Sequence, residues 1–94
     1  MEHKIVIVRT YSAGVNVGKL VKREGTEVTL ADSHKIWRWR GANTLHELAL
    51  RGASMTEYTR ISEAAPGEVL LTGVIEVLEC SADAAANLSK PRWL

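Results

Sequence analysis

HKIVIVRTY, residues 3–11, is β-branched and aromatic and carries no glycine or proline, so it reads as a strand. Alternation sends Ile5 and Ile7 to one face and Val6 and Val8 to the other. Both faces are apolar, which makes a central strand the expectation. EVLLTGVIEVLEC, residues 68–80, is a second long apolar strand, with Gly73 as its expected bend.

Working outward, SAGV (12–15) turns the chain, with Gly14 free to take positive φ, into a strand over VNVGKLVKR (15–23). Gly18 marks a bulge or a close approach. REGTE (23–27) is a hairpin signal centred on Glu24 and Gly25, leading into EVTLADSHKIWRWR (27–40), where ADS (31–33) is a candidate interruption. In NTLHELALRG (43–52), Thr44 and Glu47 form a capping-box pattern, Gly52 fits the position past the helix end, and Leu45, Leu48 and Ala49 share a docking face. TEYTRIS (56–62) alternates as a short fourth strand, and AAPGE (64–68) breaks it. Ser81 caps a short helix over ADAAANLS (82–89), which Pro91 stops.

The fold class is therefore α+β: a small antiparallel sheet of about five strands with two short helices, in a single domain over residues 1–94. Two short helices are too few to cover two strands that are apolar on both faces. One sheet face is expected to be left for a second subunit, giving a homo-oligomer. The alternative is a sheet curled into a small barrel that buries its own inner face.

Composition narrows the function classes. With 46% hydrophobic and 24% charged residues the chain falls among ordinary globular domains, not disordered or fibrous ones. Twelve Lys and Arg against eleven Asp and Glu leave a net charge of +1, so wholesale capture of nucleic acid is not expected and any anion site must be local. Cys80 is the single cysteine, which excludes an intrachain disulfide and reads as a buried structural thiol. The run IVIV (5–8) is too short for a signal peptide or membrane span, so a cytoplasmic protein without a membrane partner is expected. Walker A, HExxH, CxxC and GxSxG patterns are absent. His3, His34 and His46 are scattered, and His46 and Glu47 diverge as successive helical residues. No catalytic residue, metal or cofactor is expected.

The residues that fit a ligand lie in two stretches. In IWRWRGANTLHEL (36–48), alternation puts Trp37 and Trp39 on one side and Ile36, Arg38 and Arg40 on the other. The tryptophans read either as core or interface residues or as the wall of a pocket. RGAN (40–43) brings the guanidiniums near a helix start, where unpaired amides and Thr44 could receive phosphate and Asn43 could read a base edge or ribose hydroxyl. In RTYSAG (9–14), Arg9 shares a face with Tyr11, and Ser12 and Gly14 complete the turn. That pairing suits a stacked base beside a phosphate, although a plain hairpin turn has the same sequence. Arg60 is a further donor or a surface charge. The candidate ligand-binding set is Arg9, Tyr11, Ser12, Gly14, Arg38, Arg40, Asn43, Thr44 and Arg60, for a small anionic nucleotide.

The pattern VIVRTYSAGV (6–15), IWRWRGANTLHELA (36–49) and VLLTGVIEVLEC (69–80) resembles a family of small proteins found mainly in tailed phages and prophages, over about Ile5 to Trp93. By analogy the chain is similar to phage anti-defence sponges, such as those that counter Thoeris or cyclic-oligonucleotide signalling. The resemblance implies a non-enzymatic, symmetric oligomer in the host-cell cytoplasm. It would sequester a cyclic nucleotide or a cyclic ADP-ribose isomer, using arginines, aromatics and backbone amides. Two other readings stand beside it: a structural or host-interaction phage protein with no small-molecule ligand, and a single-stranded nucleic-acid-binding β-domain.

Overall fold

The structure is a computed structural model that describes residues 4–12, 14–39, 44–53 and 59–90. Strands β1 (Ile5–Thr10), β2 (Val15–Glu24) and β3 (Glu27–Arg38) form an antiparallel meander. Helix α1 (Leu45–Arg51) follows, then β4 (Arg60–Ile61), β5 (Glu68–Leu71), β6 (Val74–Glu79) and helix α2 (Ala82–Leu88). The sheet order is β4-β3-β2-β1-β6, with β5 alongside the first half of β3. As expected, β1 is central.

The long apolar run 68–80 is two strands instead of one, which makes six strands where about five were expected. Gly73, at φ +65°, turns the chain so that β5 pairs with β3 (Val28↔Leu71 to Ala31↔Glu68) while β6 pairs with β1. Two bonds fasten this corner: Tyr11 N–H donates to the Gly73 carbonyl at 2.9 Å, and Val74 N–H to the Thr26 carbonyl at 3.0 Å. The segment thus links one side of the meander to the other and curls the sheet towards a barrel.

Closure corrects the expectation of an uncovered face. Val6 and Val8 of β1 are fully buried within one chain, clustered with Val28, Leu30, Leu71 and Val74 from β3, β5 and β6. Each such side chain contributes about 1.5–3 kcal/mol by leaving water. The opposite face buries Ile7, Val17, Ile36 and Ile61 beneath Leu48 and Ala49 of α1 and Leu88 of α2. The curled-sheet alternative therefore describes the inner face, and an uncovered face no longer argues for a second subunit.

Local chemistry accounts for the ends of the elements. Thr44 Oγ1 accepts from Glu47 N–H at 3.2 Å and Ser81 Oγ from Ala84 N–H at 3.0 Å, so both expected caps form. Gly52 ends α1 at φ +77°. Asn87 of α2 bonds both the N–H and the carbonyl of Ala53, at 2.9 and 3.2 Å, which ties the two helices together. Glu24 pairs with Glu27, so the hairpin turn is Gly25–Thr26, one residue on from the expected centre, with Gly25 at φ +60° as a type II′ turn requires.

ADS does not interrupt β3; it bulges it. Two steps on β2, Val17 to Lys19, face three on β3, His34 to Ala31, and Asp32 takes φ +49°. Lys19 Nζ lies 2.9 Å from Asp32 Oδ2, and this hydrogen bond and charge hold the Asp32 carboxyl below its usual range. Gly18 makes room: a Cβ there would sit 3.0 Å from the Ala31 carbonyl oxygen and 3.1 Å from Ser33 Cα, both backbone atoms. Gly18→Ala is therefore expected to lower stability by about 1–3 kcal/mol despite its better strand propensity. Urea unfolding would register this as a lower midpoint with an unchanged slope; a midpoint at or above the native one would show that the bulge gives way freely.

Candidate functional site

β1 and β3 end, and β2 and β4 begin, at the same edge of the sheet, so the strand order gathers most of the predicted ligand residues on one rim. Arg9 registers with Val15, Val15 with Ile36, and Ile36 with Ile61; one step further out, Arg38 faces Arg60. Arg9 shares the helix-covered face with Val15, Ile36 and Ile61, whereas Arg38 and Arg60 lie on the other face, so these arginines share a sheet end and not a face. Thr10 donates to the Gly14 carbonyl from its N–H at 3.0 Å and its hydroxyl at 3.1 Å, and Gly14 takes φ +75°. This tight loop leaves Ser12 exposed and Tyr11 88% exposed.

The rim is electrostatically unusual. Like charges directly opposite on neighbouring strands are destabilising, yet Arg38 and Arg60 are register partners. Arg60 Nη1 donates to its neighbour's carbonyl, that of Thr59, at 3.1 Å. The ion pairs Lys4–Glu79, Lys19–Asp32, Lys22–Glu24 and Arg51–Glu47, found among the described residues, do not involve Arg38. Glu76 is the register partner of Arg9 on β6 and tempers the charge at that point. One row inward, Asn16 is buried opposite Val8, and its Nδ2 has no hydrogen-bond partner among the described residues.

The tryptophans do not share a face. The β3–β4 register shifts between Ile36 and Arg38, so strict alternation fails at Trp37. Trp37 is 55% exposed, whereas Trp39 packs against the helix-covered core that also holds Ile36. Trp39 is thus a core residue and Trp37 an exposed aromatic near the rim. The Thr44 hydroxyl accepts from Glu47 N–H and so caps the seven-residue α1, with its O–H still able to donate. Arg40 and Asn43 lie outside the described residues.

A groove of about 520 Å³ was not foreseen. It runs between α1, through His46, Ala49 and Leu50, and β6, through Val77, Leu78 and Glu79. The one sequence signal for it is Leu50, an apolar residue off the docking face of α1 and 58% exposed. A smaller hollow of about 220 Å³ lies at the β2–β3 hairpin, between Lys22, Glu24, Glu27 and Leu70.

Other reactive side chains have structural surroundings. His34 is buried, and its Nδ1 lies 2.9 Å from the Ser62 carbonyl, to which it donates. Among the described residues no group of three or more His, Cys, Asp or Glu is placed to hold a metal ion, and no helix is long and apolar enough to cross a membrane.

Fold and rim together define a small antiparallel domain curled on itself, helix-covered on its outer face, with a basic and aromatic rim. The chain belongs to the family described as Domain of unknown function (DUF6948), which matches residues 3–88. No curated protein and no solved structure matches it.

Partial burial of Cys80 pushes its thiol up to about 11 from an ordinary 9.0. The protonated thiol is therefore favoured by folding. That contribution is complete below pH 9, where the unfolded thiol is also protonated, and is lost as pH rises through the folded value. In the folded protein, the logarithm of the alkylation rate should keep rising linearly beyond pH 9, while in denaturant it should level off there. A plateau near pH 9 in the folded protein would show an unperturbed thiol.

Proposed function

We propose that this protein binds a small anionic nucleotide on the rim and holds it without chemical change. On this reading it is phage-encoded and sequesters a host immune signalling nucleotide, either a cyclic nucleotide or a cyclic ADP-ribose isomer, in the host-cell cytoplasm. The observation that carries the proposal is the Arg38–Arg60 register pair at the same sheet end as Arg9 and the exposed Tyr11. Guanidiniums on facing strand positions suit a bridging phosphate, which each can engage through two parallel N–H donors. Tyr11 and Trp37 offer exposed rings on which a base can stack. Because net charge is only +1, this local cluster suits a compact anion better than a long polyanion.

Arg38→Ala separates binding from folding. Loss of a charge-assisted contact costs about 1.5–3 kcal/mol, so affinity for the cyclic nucleotide or cyclic ADP-ribose isomer should fall roughly ten- to a hundredfold in titration calorimetry. The thermal midpoint should hold, because Arg38 is exposed. Ligand bound by the native protein should return intact on denaturation. Unchanged affinity in the variant would place the site elsewhere, a hydrolysed product would make the protein an enzyme, and binding that collapses steeply with salt only for single-stranded nucleic acid would favour that alternative.

A further inference from the structure

We infer that the free edge of β6 is a self-association strand, on which a second copy of this chain adds its own β6 antiparallel about a two-fold axis at Leu78. In the sheet order β6 is terminal, paired with β1 alone among the described residues. Cys80 N–H donates to the Ile5 carbonyl on β1 at 2.9 Å, so alternation turns Leu78 towards β1 and directs the N–H and carbonyl of Val77 and Glu79 outward. Such an edge accepts a β-strand and little else. Of the devices that commonly blunt native edges, VIEVLE has the bulge at Ile75 and the charges of Glu76 and Glu79 but no lysine or proline, so the Val77–Glu79 backbone stays open to pairing. Ile75 stands 57% exposed on the edge strand itself, and Leu50 58% exposed on the neighbouring helix.

The chemistry of the edge fits a second copy. Pairing about Leu78 sets Val77 of one chain against Glu79 of the other in both directions, so every outward backbone group of these residues finds a partner. Leu78 meets Leu78 in a non-hydrogen-bonded pair, where side chains approach most closely, above the groove that Ala49 and Leu50 line. Glu76 then opposes Cys80, so no carboxylate faces another. Shifting the axis by one residue to Glu79 would set two carboxylates against each other, which disfavours that register. Both α1 helices fall on one face of the continuous sheet, with Leu50 of each beside the axis. The interface lies away from the Arg38–Arg60 rim, so this inference stands independently of the nucleotide reading.

Sedimentation equilibrium from about 1 to 200 µM, with Glu79→Pro and Leu50→Glu as variants, tests the inference, since a self-associating chain shows concentration-dependent mass. Proline at 79 removes an outward N–H that the β1 ladder does not use, and Leu50 is exposed, so both variants should keep the native circular dichroism and melt. Expected are a native mass of twice the chain and a monomeric mass for each variant over this range. A native protein that stays monomeric, or a dimer that survives either folded variant, would overturn it. With Cys80→Ser as background, Leu78→Cys should in addition cross-link to itself on mild oxidation, because the Cα spacing of such a pair, about 4.5 Å, admits a disulfide. If a folded variant dimerises without that cross-link, the register is wrong.

Discussion

The corner at Thr72–Gly73 is the constraint on which the rest depends. A strand serving β3 must become a strand serving β1 within a residue or two, and only a left-handed backbone at Gly73 with two fastening bonds achieves this. Without that corner, Val6 and Val8 would lie on an open sheet face. With it, they meet Val28, Leu30 and Leu71 across the curl, and a chain of 94 residues obtains a second core cluster from strands it already needs. Burial on both faces of β1 follows from closure, not from added helices.

Closure of so short a sheet demands strong curvature, and the bulges supply it. Registers shift opposite Gly18, again near Val21, at Trp37, and between Arg9 and Thr10, where Ile75 is the extra residue on β6. Each shift re-aims a side chain as well as bending a strand. Trp37 and Ile75 are the large hydrophobic residues at two of these shifts, and both are exposed. The exposed aromatic near the rim and the exposed aliphatic on the β6 edge are thus produced by the same devices that close the core.

What could be read from the sequence was local. The caps at Thr44 and Ser81, the positive φ of Gly14, the bulge at Gly18 and the central place of β1 rest on one residue's conformational needs or on two-fold alternation. What escaped was set by partners. Gly73 in an apolar run announces a bend but not a change of pairing strand, because β3 and β1 lie far away in sequence. The faces of Trp37 and Trp39 were reversed in part because β4 sets the shift between Ile36 and Arg38. The gathering of Arg9, Tyr11 and Arg38 was legible, since hairpin-connected strands bring alternate ends together. The groove was not, because α1 and β6 meet through the closure itself.

The packing also limits where a ligand can go. Val6, Val8, Val28 and Leu30 are fully buried, so the inside of the curl is filled with aliphatic side chains, as expected of a barrel this narrow. The proposed ligand would therefore have to use strand ends and outer surfaces. At the rim, Tyr11 and Ser12 are carried on a loop pinned by two Thr10–Gly14 bonds, while Arg38 and Arg60 project from paired backbone. Guanidiniums on paired strands need little reorganisation to receive a phosphate, and preorganisation of this kind is what allows a small surface to bind a small ligand well. On the proposed reading, Ile61 anchors the two-residue β4 in the helix-covered core, and its neighbour Arg60 is thereby held at the sheet end opposite Arg38.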